Sequence, residues 1–178
     1  MTPPQGGAAM LVRPTPGLRL AYLESYRAFR GAEQPGASLV KGWRLENPDV
    51  FRRWVRLLRA EEFVARPGLV RSAQFWVVER GEVVGSIQLR LELTDALKRR
   101  GGHVGYSIRP DRRRRGYAAR ALYDVKRLAR RRGLRRLLVT CDKTNAGSRA
   151  VIEKNGGRPA VELDRGEGDP TARFWIEL

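Results

Sequence analysis

The sequence predicts an α/β fold, a single domain with a mixed central sheet of about six to seven strands flanked by about four helices. Three consecutive segments lead to this prediction. Residues 104–108 place apolar side chains at every second position, which is the period of a strand. Residues 118–132 repeat apolar side chains three and four positions apart, as in a helix packed on one face. Residues 136–141 are a short apolar strand, so the three segments predict a crossover between two parallel strands.

The chain is long enough for one domain, which we place at residues 1–178. Its 178 residues can bury a substantial core, and a hydrophobic content of 42% is typical of a globular protein. Residues 1–8 are rich in proline and glycine, so we expect them to be loose. The sequence has no run of about eighteen apolar residues, and its start lacks the basic region and apolar stretch of a signal peptide, so we expect neither a membrane span nor a signal peptide. With Cys141 as the one cysteine, these features predict a cytoplasmic protein without disulfides or membrane spans.

Five elements are predicted within residues 10–93. Residues 10–13 are a candidate edge strand. Residues 18–30 and 47–63 carry helical apolar stripes, and the second begins at an Asn-Pro pair that suits a helix start. Residues 74–79 and 83–93 alternate as strands and flank an Arg-Gly turn, so they predict a hairpin.

The rest of the chain supplies further short elements. Residues 94–100 suggest a brief helical excursion before the crossover. After the crossover, Asn145 or Thr144 can cap a helix that ends at a Gly-Gly pair. Two last strands are predicted at residues 158–164 and 172–178.

The turn between the first crossover strand and its helix has the composition of an anion site. It reads Arg113, Arg114, Arg115, Gly116, Tyr117 and Ala118. The first N–H groups of a helix have no internal partner, and the helix dipole favours an anion there by about 0.3–1 kcal/mol. Gly116 lets a bulky anion approach the backbone, and arginine forks suit phosphate. The turn therefore predicts a cradle for a diphosphate.

The same residues resemble a known family. The run RRRRGYA fits the R/Q-x-x-G-x-G/A element of the GNAT superfamily of N-acetyltransferases, with Arg113, Gly116 and Ala118 at the defining positions. Downstream, Asn145, Ser148 and the run VIEKNGG are similar to the later helix of that superfamily. The stretch from about residue 75 to the end also resembles a bacterial branch that carries GGHVGYSIRP and TCDKTN.

The resemblance implies an activity and a co-substrate. In that superfamily the cradle holds the pyrophosphate of acetyl-coenzyme A, so we expect acetyl-CoA as co-substrate and direct transfer of its acetyl group to a primary amine. The acceptor stays open between a small molecule and a protein amine. Homodimers are common in the superfamily, which leaves a homodimer as an open alternative.

The resemblance also implies a set of cofactor-binding residues. Two central parallel strands splay apart in the superfamily, and the pantetheine arm lies in the gap. Carried over, main-chain groups of Tyr106, Ser107 and Ile108 pair with the arm. The full cofactor set is then Tyr106, Ser107, Ile108, Arg113, Arg114, Arg115, Gly116, Tyr117, Ala118, Asn145 and Ser148.

Two residues are candidates for the base that frees the amine of its proton. Glu92 falls on the polar face of the strand at residues 83–93, a region from which the superfamily often takes an acidic residue. The alternative is that Glu92 is a surface carboxylate paired with an arginine and has no catalytic role. His103 is the one histidine, and its ordinary pKa of about 6.5 suits acid–base work. Its alternative is a strand-end histidine that hydrogen-bonds a loop.

The sequence departs from the superfamily at the proton donor. Many members place a tyrosine on the later helix, where this chain has Ile152, and a phenylalanine where it has Gly157. Tyr106, Tyr117 and Tyr123 are substitutes, although helix packing is the better explanation for the last two.

The net charge of +17 has two interpretations. Arginine provides 31 of the 36 basic residues, which fits either a polyanion-binding protein or a genome rich in arginine codons. A nucleic-acid-associated protein is therefore one rival function, and it requires a contiguous basic face. A non-catalytic acyl-CoA-binding regulator is another.

Other chemistries have less support. The sequence holds no Cys/His cluster, so we expect no metal site. Cys141 is best explained as a small buried hydrophobe. Trp43 and Trp54 could wall an acceptor pocket or belong to the core.

Overall fold

The computed structural model describes residues 9–166 and 168–178, and the prediction of a loose segment at residues 1–8 lies outside them. Over the described residues the chain forms a seven-stranded mixed sheet with helices on both faces, which confirms the predicted α/β fold. The strands are β1 (Met10–Val12), β2 (Ser72–Glu79), β3 (Glu82–Arg90), β4 (Val104–Ile108), β5 (Arg136–Asp142), β6 (Arg158–Pro159) and β7 (Thr171–Glu177). The helices are α1 (Arg19–Ala28), α2 (Pro48–Ala60), α3 (Asp95–Arg99), α4 (Tyr117–Arg131) and α5 (Ala146–Lys154).

A gap opens in the middle of the sheet between two neighbouring strands. Strands follow the order β1-β2-β3-β4-β5-β7-β6, and the β4–β5 pair is the parallel one. β4 pairs with β3 along its whole length but meets β5 at Val104 and Val139 alone among the described residues. Beyond that point the two strands diverge, which is the predicted splay.

The two faces of the sheet carry different helices. Val104 and Ile108 of β4 pack in one core with α4 and α5. A second core on the opposite face holds α1 and α2. Because side chains alternate along a strand, Tyr106 lies on the α4 and α5 face, whereas Ser107 lies on the α1 and α2 face.

Four aromatic rings form the centre of the second core. Tyr22 lies with its ring centroid 4.8 Å from that of Trp76 and 4.9 Å from that of Trp54. Phe51 completes the group at 5.5 Å from Trp54. Trp54 is fully buried here, so it belongs to the core and not to a pocket wall.

Three predicted elements end three or more residues earlier in the structure than in the prediction. The strand predicted over residues 83–93 ends at Arg90, which is also where its pairing with β2, through Ser72, ends. The strand predicted over residues 158–164 stops at Pro159, where a 3-10 turn follows. The second helix ends at Ala60 instead of residue 63. Among the described residues, no helix is both long and apolar enough to cross a membrane.

Candidate active site

The turn before α4 leaves the helix N-terminus open. Gly116 is the N-cap residue, and no side chain caps the helix there. Gly116 has φ of +84° and Arg114 has φ of +62°, both in the left-handed region. A Cβ atom at Gly116 would meet no atom within 4 Å, so no described part of the chain crowds the turn at this residue. This geometry suits a bound anion.

Carboxylates hold the inner arginines of this region. Arg109 is 7% exposed and donates to Asp111 at 3.0 Å and to Glu24 at 3.3 Å. The hydrogen bond from Arg109 lowers the pKa of Asp111. Arg112 forms an ion pair with Glu82 of the β2–β3 hairpin. These contacts hold Arg109 and Arg112 in place and so stabilise the turn before α4.

The other arginines of the turn differ in what they contact. Arg113 Nε donates to the main-chain oxygen of Ile108 at 3.2 Å, so this side chain leans on the end of β4. Arg114 and Arg115 are exposed and form no ion pair with a described carboxylate. Their guanidinium groups are therefore available to a phosphate.

Tyr117 and Ala118 offer main-chain groups to the cradle. The Tyr117 hydroxyl donates to Glu79 at 2.5 Å, and this hydrogen bond raises the pKa of the phenol. The Tyr117 ring is buried against the sheet, so its side chain anchors the first turn of α4 and points away from the anion space. Ala118 keeps the adjacent surface low.

Every second residue of β4 directs its main-chain N–H and C=O groups toward the gap. Arg90 N donates to His103 O at 2.7 Å, and Arg109 N donates to Val84 O at 2.9 Å. In an antiparallel pair such residues alternate with others whose N–H and C=O groups point away from the partner. Ser107 is therefore bonded to β3, which corrects its predicted main-chain role, while Tyr106 and Ile108 face the gap.

Asn145 and Ser148, at the start of α5, close the other side of the gap. Asn145 Oδ1 accepts from Ser148 N at 2.9 Å and so caps α5 as predicted. Ser148 Oγ lies 2.7 Å from the Tyr106 hydroxyl, which also donates to the Ser148 main-chain oxygen at 3.3 Å. Burial raises the pKa of Tyr106 to about 12, and burial also raises that of Cys141, which hydrogen-bonds Ser148. The structure thus brings Tyr106, Ser148 and Cys141 together.

Position 152 contributes packing alone. Ile152 is fully buried in the core beneath α5. A Cβ atom at Gly157 would overlap Ile152 Cγ2. A side chain at position 157 would therefore displace Ile152.

Neither predicted base lies in the gap. Glu92 is beyond the end of β3, which corrects its predicted position on that strand, and its side chain is 51% exposed. Its carboxylate accepts from Arg71 Nε at 2.7 Å, next to β2. His103 is buried, and its Nδ1 accepts from Leu138 N at 2.8 Å. Burial, with smaller contributions from nearby arginines, lowers the pKa of His103 to about 4.

Two carboxylates that the sequence did not suggest lie at the ends of the two strands that border the gap. Glu24 reaches the end of β4 through Arg109. Asp142 ends β5 and lies 3.4 Å from Arg100. Their positions depend on how α1 and the loop before β4 fold back, for which the sequence has no local signal.

Trp43 lies apart from this region. It is partly buried and lines an open cleft of about 470 Å³ with Val40 and Leu57. The guanidinium of Arg53 lies 5.3 Å from the centre of its ring. Among the described residues, no group of three or more His, Cys, Asp or Glu side chains could hold a metal ion.

Comparison with known proteins agrees with this geometry. Residues 23–158 match the family profile described as Acetyltransferase (GNAT) domain. No protein of curated function matches the sequence significantly.

Several solved structures share the fold. The Salmonella typhimurium acetyltransferase that modifies the N-terminal serine of ribosomal protein L7/L12 has 14% identity and a TM-score of 0.63, over 96% of this chain and 95% of that one. The ribosomal L7/L12 acetyltransferase RimL in complex with coenzyme A has 15% identity and a TM-score of 0.64, over 98% and 97%. The microcin C7 self-immunity acetyltransferase MccE, solved with acetyl-CoA and AMP, has 11% identity and a TM-score of 0.64, over 99% and 98%. At these identities the likeness concerns the fold.

Proposed function

This chain belongs to the GNAT family of acetyltransferases, and from that premise we propose that it moves the acetyl group of acetyl-CoA directly to a primary amine. As a family member it is an N-acetyltransferase with acetyl-CoA as co-substrate. The observation that carries the proposal is the uncapped N-terminus of α4, which opens beside the gap between β4 and β5.

The residues around this opening fit the parts of acetyl-CoA. Main-chain N–H groups at the start of α4 and the arginines Arg114 and Arg115 would hold the diphosphate. The main chain of Tyr106 and the N–H of Ile108 would pair with the pantetheine arm, because both point into the gap. When bound, acetyl-CoA supplies an activated thioester whose carbonyl carbon accepts the amine nitrogen.

The attacking amine must be neutral. A lysine-type amine has an ordinary pKa of about 10.4, so it loses its proton either to a base or through burial, which disfavours the charged form. Glu92 and His103 stay predictions for that base. Their contacts with Arg71 and Leu138 favour the second route, in which burial of the bound amine lowers its pKa.

The class of acceptor has support from two directions. The Salmonella relative acts on the N-terminal amine of a ribosomal protein, and MccE was solved with AMP as well as acetyl-CoA. A protein amine and a small-molecule amine therefore both remain candidates for this chain. A homodimer and a cytoplasmic location stay predictions.

The nucleic-acid alternative has weaker support. Exposed arginines such as Arg53 and Arg56 lie on α2, whereas Arg127 and Arg131 lie on α4. These two helices cover opposite faces of the sheet, so the basic residues do not gather on a single face.

A screen of amines tests the proposed function. The protein is incubated with acetyl-CoA and a panel of polyamines, amino acids, aminoglycosides and peptides with free N-termini, and released thiol is measured. We expect thiol release that depends on at least one amine and disappears with the N-acetylated form of the same compound. Tight acetyl-CoA binding without amine-dependent release would instead support a non-catalytic acyl-CoA-binding regulator.

A further inference from the structure

Tyr106 occupies the narrow end of the gap. β4 and β5 pair at Val104 and Val139, and two residues further along the strands lie Tyr106 and Cys141. Both side chains lie on the face covered by α4 and α5, where Cys141 is buried and Tyr106 packs against the core. Ser148, in the first turn of α5, closes the corner through its contact of 2.7 Å with the Tyr106 hydroxyl.

Helix α5 has no phenol of its own at this corner. Ile152 lies one turn beyond Ser148 and is fully buried, so this position has no group that can donate a proton or a hydrogen bond. The phenol of Tyr106 instead crosses from β4 to α5 and ends at Ser148. Among the described side chains of this corner, Tyr106 and Ser148 are the hydroxyl donors.

We infer that the Tyr106 hydroxyl, which donates its one proton to the Ser148 main-chain oxygen in the free protein, turns that proton to the coenzyme A sulfur as the thioester breaks, while Ser148 Oγ donates to the phenol oxygen and positions it. The inference rests on the proposed function, because it requires the pantetheine arm to lie between β4 and β5. The cradle at Gly116 follows the outer end of β4. An arm that enters from there runs inward, so its sulfur approaches the narrow end where Tyr106 stands.

The chemistry of the step is balanced without a further reactant. The amine nitrogen forms a bond to the acetyl carbon, the carbon–sulfur bond breaks, and its electron pair stays on sulfur. The amine proton leaves to a base or to water. Burial keeps Tyr106 protonated, because its pKa of about 12 lies above the value of about 8.5 for an ordinary thiol. The phenol therefore donates a hydrogen bond to the thiolate and keeps its proton, and the thiolate is protonated by water on release.

The pKa of bound coenzyme A measures this hydrogen bond directly. Coenzyme A is titrated in complex with the wild type, Tyr106→Phe, Ser148→Ala and the control Tyr123→Phe, whose ring is 51% exposed on α4. Thiolate is followed by its ultraviolet absorbance. We expect the bound thiol pKa to lie about one to two units below that of free coenzyme A in the wild type and control. Tyr106→Phe should return it close to the free value, with kcat falling about tenfold or more and binding affinity nearly unchanged. Ser148→Ala should have a smaller effect in the same direction.

The other outcomes separate a failure of this inference from a failure of the proposed function. An equal thiol pKa in the wild type and Tyr106→Phe would overturn this inference alone. The same holds if Ser148→Ala raises the thiol pKa and Tyr106→Phe does not, because Ser148 would then be the donor. Failure of the wild type to bind coenzyme A would overturn the proposed function, and this inference with it.

Discussion

His103 shows how a single residue can be tied to structure instead of chemistry. Its ring Nδ1 accepts from Leu138 N, and its main-chain N–H donates to Leu138 O at 2.7 Å. His103 therefore joins β4 to β5 just before the two strands diverge. The ring must be neutral to accept this hydrogen bond. Protonation therefore competes with the contact that holds the narrow end of the gap together.

The first prediction concerns the pH dependence of stability. The folded-state pKa of His103, about 4, lies below the unfolded value of about 6.5, so the unfolded chain binds the proton more readily. This contribution to the free energy of unfolding is complete above pH 6.5 and is lost as pH falls toward 4, by at most about 3 kcal/mol. In denaturant unfolding, the difference in unfolding free energy between the wild type and His103→Gln should therefore narrow as the pH falls from 6.5 toward 4. A difference in unfolding free energy that stays the same at every pH would contradict the low folded-state pKa of His103.

Site residues differ in how far the sequence could predict them. Gly116, Ala118 and Asn145 follow from local rules, because a helix start needs an open turn and a cap whatever surrounds it. The position of Glu92 did not follow, since its alternation continues in sequence after its partner strand has ended. The link from Tyr106 to Ser148 joins residues that are 42 positions apart, and no local pattern carries that information.

At the scale of elements, the loop between α1 and α2 is pressed onto β4. Gly36 has φ of +78°, and a Cβ atom there would overlap the main-chain oxygen of Gly105. Gln74 and Ser38 hydrogen-bond at 3.1 Å, and Trp54 Nε1 donates to Ser38 O at 3.2 Å, which hold the loop in place. The loop therefore covers β4 on the face opposite to Tyr106.

The second prediction compares two glycines of this loop. Gly42 has φ of +81° but open space around its Cβ position. Gly42→Ala should cost about 1–2 kcal/mol of unfolding free energy through backbone strain alone. Gly36→Ala carries the same strain and also displaces the loop, so it should cost about 1–3 kcal/mol more. Equal losses in denaturant unfolding would show that the loop does not pack on Gly105.

At the scale of the whole molecule, one buried carboxylate joins three distant parts of the chain. Glu62 follows α2 and is 5% exposed. It forms ion pairs with Arg13, next to β1, and with Arg132, at the end of α4. Desolvation and proximity to Arg13 lower the pKa of Arg132, but the guanidinium stays charged. The contact therefore ties the sheet edge to helices on both of its faces.

The third prediction compares this carboxylate with an exposed one. Glu62→Gln leaves two arginines without their anion, and breaking a buried pair typically costs about 3–5 kcal/mol. Glu92→Gln removes a half-exposed pair with Arg71 and should cost less than about 1 kcal/mol. Thermal and denaturant unfolding of both variants checks this. Similar losses would mean that burial of Glu62 has little energetic effect. The activity of Glu92→Gln also tests its predicted role as a base.

The central claim is that the N-terminus of α4 binds acetyl-CoA, and calorimetric titration of two matched variants tests it most directly. Gly116 and Gly133 stand at opposite ends of α4, with φ of +84° and +81° and open space at both Cβ positions. Backbone strain is therefore the same in Gly116→Glu and Gly133→Glu, but only the first puts a negative charge where the diphosphate would lie. We expect Gly116→Glu to weaken acetyl-CoA binding by about 100-fold, since charge-assisted hydrogen bonds are worth about 1.5–3 kcal/mol, and Gly133→Glu to leave it nearly unchanged. Equal affinities in the two variants would contradict the account.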